Sequence, residues 1–590
     1  MAEVVDYVFR VGGEGGEGVI STGEMLTTAL ARAGFEIYTF RTYPAEIKGG
    51  HANYQVRAAG KLLLSYGAAV DVLLAFNEEA YQQHIKDVRP DGGVVIYDTD
   101  SFTPPSDGAR IFYGVPMTSL ATEKVGVKLA KNIVSLGVLA QLFDLPVTVF
   151  ESLLKEKFTR KGEAVVQKNI LALHVGVDYA KTQTKRDRVH LGVGPRKTKE
   201  LVLSGNESLA LGAIASGCRM YAGYPITPAT DIMEFLAKEL PKVGGFVVQT
   251  EDEISAVGAV LGASYAGKKA MTATSGPGFS LMTEMIGLAV AAELPAVIVN
   301  VQRVGPSTGM PTKTEQGDLY AACYGGHGSC PRIVMALTSV EDCFYSIMQA
   351  FNISEQFQMP VVVLSDASLG HRKATVPVPD LSRVPVIERR KPTAEELANG
   401  YRRYRYTADW VSPMSVPGME GGGYVAEGLE HDEGGYPAAS NHENHLHATQ
   451  KRYGKFHQVE AIANELTRQY GDPHPEIGVI GWGSTEGVIR EAVQLAQEQG
   501  YSVGALHPKI VYPQPLAKLK NFIDGTKAII IPEVNYTGQF ATLLRKRFAY
   551  DFAQLNKCIG LPFTPKEILD KIEEVATHVH AGRRVHAAAL

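Results

Sequence analysis

Residues 222–236 read AGYPITPATDIMEFL. A strand-like run, CRMYAGY at 218–224, stops at Pro225, and a stretch of helical spacing follows Thr227 and Pro228. Thr227 makes a good N-cap and Pro228 a good first helical residue, which explains the boundary on structural grounds alone. Pro225 also stiffens the approach and so fixes where the Thr227 hydroxyl points. A fixed hydroxyl beside free helix N–H groups suits a carboxylate. Both readings stand at this point.

The surroundings place this junction in an α/β layer. GNESLALGAIASG reads as helix, CRMYAGY as strand, PATDIMEFLAKEL as helix, GGFVVQT as strand and EDEISAVGAVLGASYAG as helix. KKAMTAT, GFSLMTEMIGLAVAAE and PAVIVNVQR continue the alternation. Repeated strand–helix–strand units with apolar strands predict a parallel sheet covered on both faces. Right-handed crossovers then gather the strand C-termini on one edge, where ligands bind. The YPITP motif, the TEDE stretch at 250–253, TSGPG at 274–278 and Arg303 all fall at such ends.

Two charged residues stand out on that edge. Glu253 opens an apolar, small-residue helix that the pattern predicts to be buried, although acids in a first turn are also expected from the helix dipole. Arg303 ends a strand apolar along its length and precedes the loop GPSTGMPT; there it could fork onto a carboxylate or make a structural ion pair. At the N-terminal end, residues 13–18 read GEGGEG, a G-x-G-x-x-G turn after a strand and before a helix, with Glu36 further on. Glu14 and Glu17 put negative charge where a pyrophosphate would lie. Nicotinamide, another phosphate-bearing ligand and a tight structural turn remain open. YPAEIKGGHANYQVR adds Lys48, Gly49 and Gly50, bare backbone beside an amine that suits an anion.

Composition narrows the classes. With 590 residues the chain is long enough for three or four domains. A net charge of −5 and no long basic run argue against nucleic acid. The stretch MIGLAVAAELPAVIVNV is broken by Glu293 and Pro295 and reads as core, not as a membrane span. The first residues carry acids where a signal peptide carries bases, and five unpatterned cysteines fit a reducing compartment, so a cytoplasmic protein is expected. Without a C-x-x-C, this chain is expected to hold no iron–sulfur cluster. His431, His442, His445 and His447 lack a standard zinc spacing and read as part of an ordered loop, with no metal site expected.

Taken together the motifs resemble the 2-oxoacid:ferredoxin oxidoreductases, specifically an α subunit with the γ domain fused at its N-terminus, and the resemblance spans nearly the whole chain. GGEGGEGV and YPAEIKGGHANYQVR carry the γ-like part. YPITPAT, TEDEISAVGAVLGASYAG, TATSGPG, VQRVGPSTGMPTKTEQGDL and GLEHDEGGYPAASNHENH carry the α-like part, and GWGSTEGVIREAV a transketolase C-terminal-like part. The resemblance implies a multi-domain α/β fold. A γ-type α/β domain is expected over 1–190 and a thiamine-diphosphate pyrimidine-binding domain with a parallel sheet over 191–385. An extended linker is expected over 386–455 and a transketolase C-terminal-like α/β domain over 456–590.

It also implies chemistry. Glu253 matches the family's glutamate that protonates the aminopyrimidine of thiamine diphosphate, with Tyr224 and Pro225 as further cofactor contacts. Thr227, Arg303 and Thr312 match substrate-contacting positions. Gly13, Gly15, Gly16, Lys48, Gly49 and Gly50 become candidate coenzyme A contacts. The implied reaction is oxidative decarboxylation of a 2-oxo acid with coenzyme A, electrons passing to ferredoxin, or the reverse, carbon dioxide fixation. The chain has no Gly-Asp-Gly for the diphosphate and Mg²⁺. The resemblance therefore implies a β subunit that brings Mg²⁺ and a [4Fe–4S] cluster, in an α₂β₂ assembly. 2-Oxoglutarate is the expected substrate; pyruvate or a branched-chain acid, an NAD-dependent dehydrogenase and a non-catalytic scaffold are the alternatives.

Overall fold

Apolar strands three to nine residues long alternate with helices over most of the chain, and three sheets result. A computed structural model describes residues 5–44, 49–183, 190–195 and 200–581. It divides into two units: Met1–Leu203 with His371–Val378, and Ser204–Gly370 with Pro379–Leu590.

The first unit holds an eight-stranded sheet. Its order is Ile111–Val115, Val94–Asp98, Val72–Ala75, Asp6–Glu14, His51–Ala59, Glu36–Thr42, Lys373–Pro377 and Glu200–Ser204. Asp6–Glu14 pairs antiparallel with His51–Ala59 and parallel with Val72–Ala75. The helix Val19–Arg32 covers the sheet, so close that a Cβ on Gly23 would meet Tyr54 Cγ at 2.2 Å. Helices Lys131–Leu142 and Glu163–Gln183 cross at reciprocal glycines. A Cβ on Gly137 would lie 2.1 Å from the Leu173 carbonyl, and one on Gly176 2.0 Å from that of Val134.

The second unit holds two sheets on one continuous core, in which Ala222, Ile298 and Val362 share a cluster with Trp482, Ile529 and Phe540. The seven-stranded sheet runs Ile510–Tyr512, Ile333–Ala336, Pro360–Asp366, Ala296–Gln302, Ala270–Thr274, Met220–Gly223 and Phe246–Gln249. All its pairings are parallel except that of Ile510–Tyr512. The five-stranded sheet runs Arg468–Gly471, Val503–His507, Ile477–Ile480, Ala528–Glu533 and Ala553–Asn556, antiparallel only at its first pair.

Three local expectations are corrected. Residues 386–455, which read as an extended connection, contain the helices Ala394–Ala398 and His442–Gly454. They are tied down by buried charge: the Glu293 carboxylate takes Lys451 Nζ at 2.5 Å and Lys455 Nζ at 2.7 Å, while Arg403 donates to the Glu293 carbonyl at 2.8 Å. The YPITP helix starts at Thr230, with Ala229 at its N-cap, because Ile226 O accepts from both Ala229 N and Thr230 N in a turn. Thr227 and Pro228 therefore precede the helix and do not cap it. The helix Glu253–Tyr265 is buried on one side only: Ile254 is 48% exposed, and nothing lies within 4 Å of a Cβ placed on Gly262.

Candidate active site

Phe246–Gln249, Met220–Gly223, Ala270–Thr274 and Ala296–Gln302 are successive neighbours in the seven-stranded sheet. Parallel pairing brings their C-terminal ends to one edge. The four connections that leave that edge carry Glu253, the YPITP motif, the SGPG turn and Arg303. The sequence pattern predicts this convergence, and the sheet order produces it.

Glu253 is the first residue of its helix, held there by Asp252, whose side chain accepts from Ser255 N at 2.7 Å. The side chain is buried, and no hydrogen bond from a described residue reaches its carboxyl oxygens. The space around it depends on a missing side chain. A Cβ on Gly278 would lie 2.3 Å from Glu253 Oε1 and 2.1 Å from Thr274 Oγ1. Beside it, a Cβ on Gly276 would lie 2.8 Å from Asp318 Oδ2. The SGPG turn is thus bare backbone laid over two carboxyl groups.

Arg303 is buried, and its Nη1 donates to the Thr227 carbonyl at 2.6 Å. The structure therefore joins Thr227 to Arg303 directly. Pro228 O, one residue on, accepts from Asn206 Nδ2 at 2.9 Å, so the motif is pinned from two sides. Arg303 Nε is buried without a hydrogen-bond partner, and so is Asn300 Oδ1 on the strand that precedes it. Buried polar atoms left unpaired are costly, and here they mark positions a ligand can satisfy. Asn300 Nδ2 donates to Asp318 Oδ2 at 3.0 Å, and the Asp318 amide donates to Gln302 at 3.0 Å. Burial pushes the Asp318 carboxyl above its usual range despite Asn300 and the nearby Arg303 charge. Burial likewise lowers the Arg303 guanidinium, with Asp318 opposing it.

Thr312 is partly buried in the loop after Arg303. That loop closes on itself: Val304 N donates to Lys313 O at 3.2 Å, which returns Lys313, the neighbour of Thr312, to the residue following Arg303. Lys313 is half-buried, and burial pushes its amine below the ordinary value. Tyr224 is 43% exposed and Pro225 partly so. Asp318, Asn300 and the glycine pair were missed as individual site residues in the sequence. TKTEQGDL signalled Asp318 and TATSGPG the glycine pair, as motifs without roles, and Asn300 lay in the strand run PAVIVNVQR.

In the first unit, Asp6–Glu14 runs into the glycine turn and Val19–Arg32 leaves it. Gly15 N donates to Gly50 O at 2.9 Å, and a Cβ on Gly15 would lie 2.7 Å from Gly49 O, so the two glycine loops touch. Gly13 is at the end of the strand and Gly16 in the turn, and Lys48 lies outside the described residues. The turn holds an internal anion: the Glu17 carboxylate accepts from Glu14 N at 2.8 Å, Asn77 Nδ2 at 2.9 Å and Lys131 Nζ at 2.7 Å. Glu36 accepts from Thr375 Oγ1 at 2.6 Å. Neither acid stands as a dinucleotide fingerprint requires. Of the four histidines read as loop, His445 pairs with Glu430 at 2.6 Å and the His431 ring packs 4.0 Å from that of Tyr404.

Residues 211–451 match the thiamine-diphosphate-binding part of the pyruvate flavodoxin/ferredoxin oxidoreductases. Residues 8–179 match the pyruvate ferredoxin/flavodoxin oxidoreductase family, and residues 475–556 match core domain II of pyruvate:ferredoxin oxidoreductase. The chain is 33% identical to the 2-oxoglutarate oxidoreductase subunit KorA of Mycobacterium tuberculosis, over 95% of this chain and 90% of that one. It is 32% identical to the α subunit of 2-oxoacid:ferredoxin oxidoreductase 2 of Aeropyrum pernix, over 92% and 93%. A solved 2-oxoglutarate:ferredoxin oxidoreductase from Magnetococcus marinus, with 2-oxoglutarate, coenzyme A and succinyl-CoA bound, superimposes with a TM-score of 0.91 at 41% identity, covering 96% of this chain and 99% of that one. The fold and site define a thiamine-dependent α/β enzyme subunit. The chain belongs to the 2-oxoacid:ferredoxin oxidoreductases and is related along its length to their α subunits.

Proposed function

We propose that this chain is the α subunit of a 2-oxoglutarate:ferredoxin oxidoreductase, which converts 2-oxoglutarate and coenzyme A to succinyl-CoA and carbon dioxide and passes electrons to ferredoxin. One observation carries the reading: a buried carboxyl without a donor, Glu253, sits on the same sheet edge as a buried guanidinium with an unpaired Nε, Arg303. The residues fit thiamine diphosphate and an oxo acid together. Gly276 and Gly278 leave room over two carboxyl groups, and Arg303 Nε lacks an acceptor. Bound thiamine diphosphate supplies an electron sink for cleavage of the bond to the carboxylate.

The chain's own residues then have separate tasks. Glu253 holds a proton at a ring nitrogen of the aminopyrimidine. Arg303 binds the carboxylate of the oxo acid with its free Nε, while its bond to Thr227 O fixes the plane of the guanidinium. Thr227 and Thr312 border that carboxylate, and Tyr224 and Pro225 contact the cofactor. Gly13, Gly15, Gly16, Lys48, Gly49 and Gly50 contribute to coenzyme A binding in the first unit, where two glycine loops approach closely.

A β subunit completes the site with the diphosphate contacts, Mg²⁺ and a [4Fe–4S] cluster, in an α₂β₂ assembly in the cytoplasm. Support comes from the apolar residues left open around the site. Tyr224, Ile254, Leu281 and Met310 are each 43–50% exposed and follow the strand ends that bear it. The assignment of 2-oxoglutarate is tested by purifying the chain with its natural partner and following reduction of a one-electron dye with coenzyme A, using 2-oxoglutarate and pyruvate side by side. A kcat/KM at least about tenfold higher for 2-oxoglutarate is expected. A preference for pyruvate, or no acid-dependent reduction, contradicts the assignment.

A further inference from the structure

A second cleft opens in the same unit, built from other strand ends. Ile333–Ala336 of the seven-stranded sheet and Val503–His507 of the five-stranded sheet both end on it. It encloses about 340 Å³, and its lining is mainly polar and charged. Carboxyl ends of parallel strands are where α/β proteins bind ligands, and this edge is shared by two sheets.

The charges lining the cleft do not cancel. Asp342 is held by Lys509 Nζ at 2.5 Å and by Thr338 N at 2.9 Å. Glu341 pairs with Arg383 at 3.0 Å. Glu486 accepts from the Tyr470 hydroxyl, and burial raises it while His507, Lys509 and hydrogen bonds hold it low, so it stays ionised. His507 donates Nε2–H to Gly483 O at 3.1 Å and is buried. The acids of the cleft are thus satisfied from within. Arg468 and Arg490 remain, and neither pairs with a carboxylate among the described residues. Arg490 also has a fixed neighbour: its guanidinium carbon lies over the Tyr470 ring, 4.4 Å from the ring centre, a cation–π contact that holds the charge at the cleft.

We infer that this cleft is a binding site for a small oxyanion-bearing metabolite, a phosphate ester or dicarboxylate, taken up by Arg490 and Arg468. Its lining shares no residue with the Glu253–Arg303 site, so it would act as an effector site on the seam between the two sheets. The planar guanidinium fork matches phosphate and carboxylate alike. Ser339 and Tyr345 also line the cleft; their hydroxyl oxygens accept from Asp342 N at 3.1 Å and Asp380 N at 2.9 Å, which leaves each O–H able to donate to an oxyanion.

The test is calorimetric titration of the purified, thiamine-diphosphate-loaded complex with inorganic phosphate and, separately, with succinate. One saturable site with a dissociation constant of about 1 mM or tighter is expected for at least one of them, and the tighter of the two names the anion. Arg490→Gln and Arg468→Gln should each weaken that binding about tenfold or more, and Arg303→Gln should leave it within twofold. No saturable binding of either anion overturns the inference. So does binding that is unchanged in Arg490→Gln and Arg468→Gln, or lost only in Arg303→Gln, which would place the anion at the active site.

Discussion

At the residue scale the site turns on what is absent beside Glu253. An alanine at 278 has an ordinary backbone to adopt but no room: its Cβ would meet the Glu253 carboxyl and the Thr274 hydroxyl well inside contact distance. Gly278→Ala is therefore expected to displace the carboxyl and cost the reconstituted complex about 10²-fold or more in kcat, with far-UV circular dichroism unchanged. Activity within a few-fold of wild type would show that the carboxyl has no fixed position to lose. The placement of Glu253 and Arg303 at the sheet edge was legible in the sequence because each follows a strand run. Asp318 and the role of Gly278 were not. Their meaning lies in contacts across the sequence, Asn300 to Asp318 and Gly278 to Glu253, that no local pattern encodes.

At the scale of elements, strands and most helices followed from periodicity, and the departures have physical causes. The turn at Ile226 displaced the expected cap. The His-rich stretch after 385 lacks apolar periodicity, because its attachment is ionic. Glu293 is the anchor: burial alone would raise its carboxyl, but Lys451, Lys455 and Arg403 outweigh that and hold it well below the ordinary range. Replacing it leaves buried cations unpaired. Glu293→Gln should lower the unfolding free energy by about 3–5 kcal/mol, read by denaturant melts, and should speed proteolysis between residues 386 and 455. A loss below about 1 kcal/mol would mean that water or other groups satisfy the lysines. The strand Lys373–Pro377, which belongs to the first sheet, was hidden for another reason. Residues 191–385 read as one continuous run, and nothing local marks a strand that pairs with one more than 300 positions away, as Ala374 does with Tyr38.

At the scale of the whole molecule, stability should fall in mild acid. Burial pushes His507 down to about 4, His371 to about 3 and His84 to about 2. In the unfolded chain these imidazoles titrate near about 6.5, so from there downward the unfolded state takes up protons that the folded state refuses. The stability they contribute is fully present above that value and is lost progressively as pH falls toward about 4 for His507. Thermal melts from pH 7 to pH 5 should show a falling Tm, and His507→Gln should flatten part of the slope. A Tm that rises over that interval would contradict the burial of neutral imidazoles. The order of the three sheets was legible because the N-terminal, middle and C-terminal parts of the chain each carry their own alternation of strands and helices. The half-exposed apolar residues around Glu253 could not be foreseen, since the sequence marks Ile254 only as apolar.

On the proposed function, Glu253 of this chain contributes a proton to a thiamine diphosphate site completed by another subunit. Turnover of the reconstituted complex, wild type against Glu253→Gln, with 2-oxoglutarate, coenzyme A and a one-electron acceptor, tests it most directly. A fall in kcat of about 10²-fold or more, with assembly intact, is expected. A Glu253→Gln complex that turns over within about twofold of wild type would contradict it.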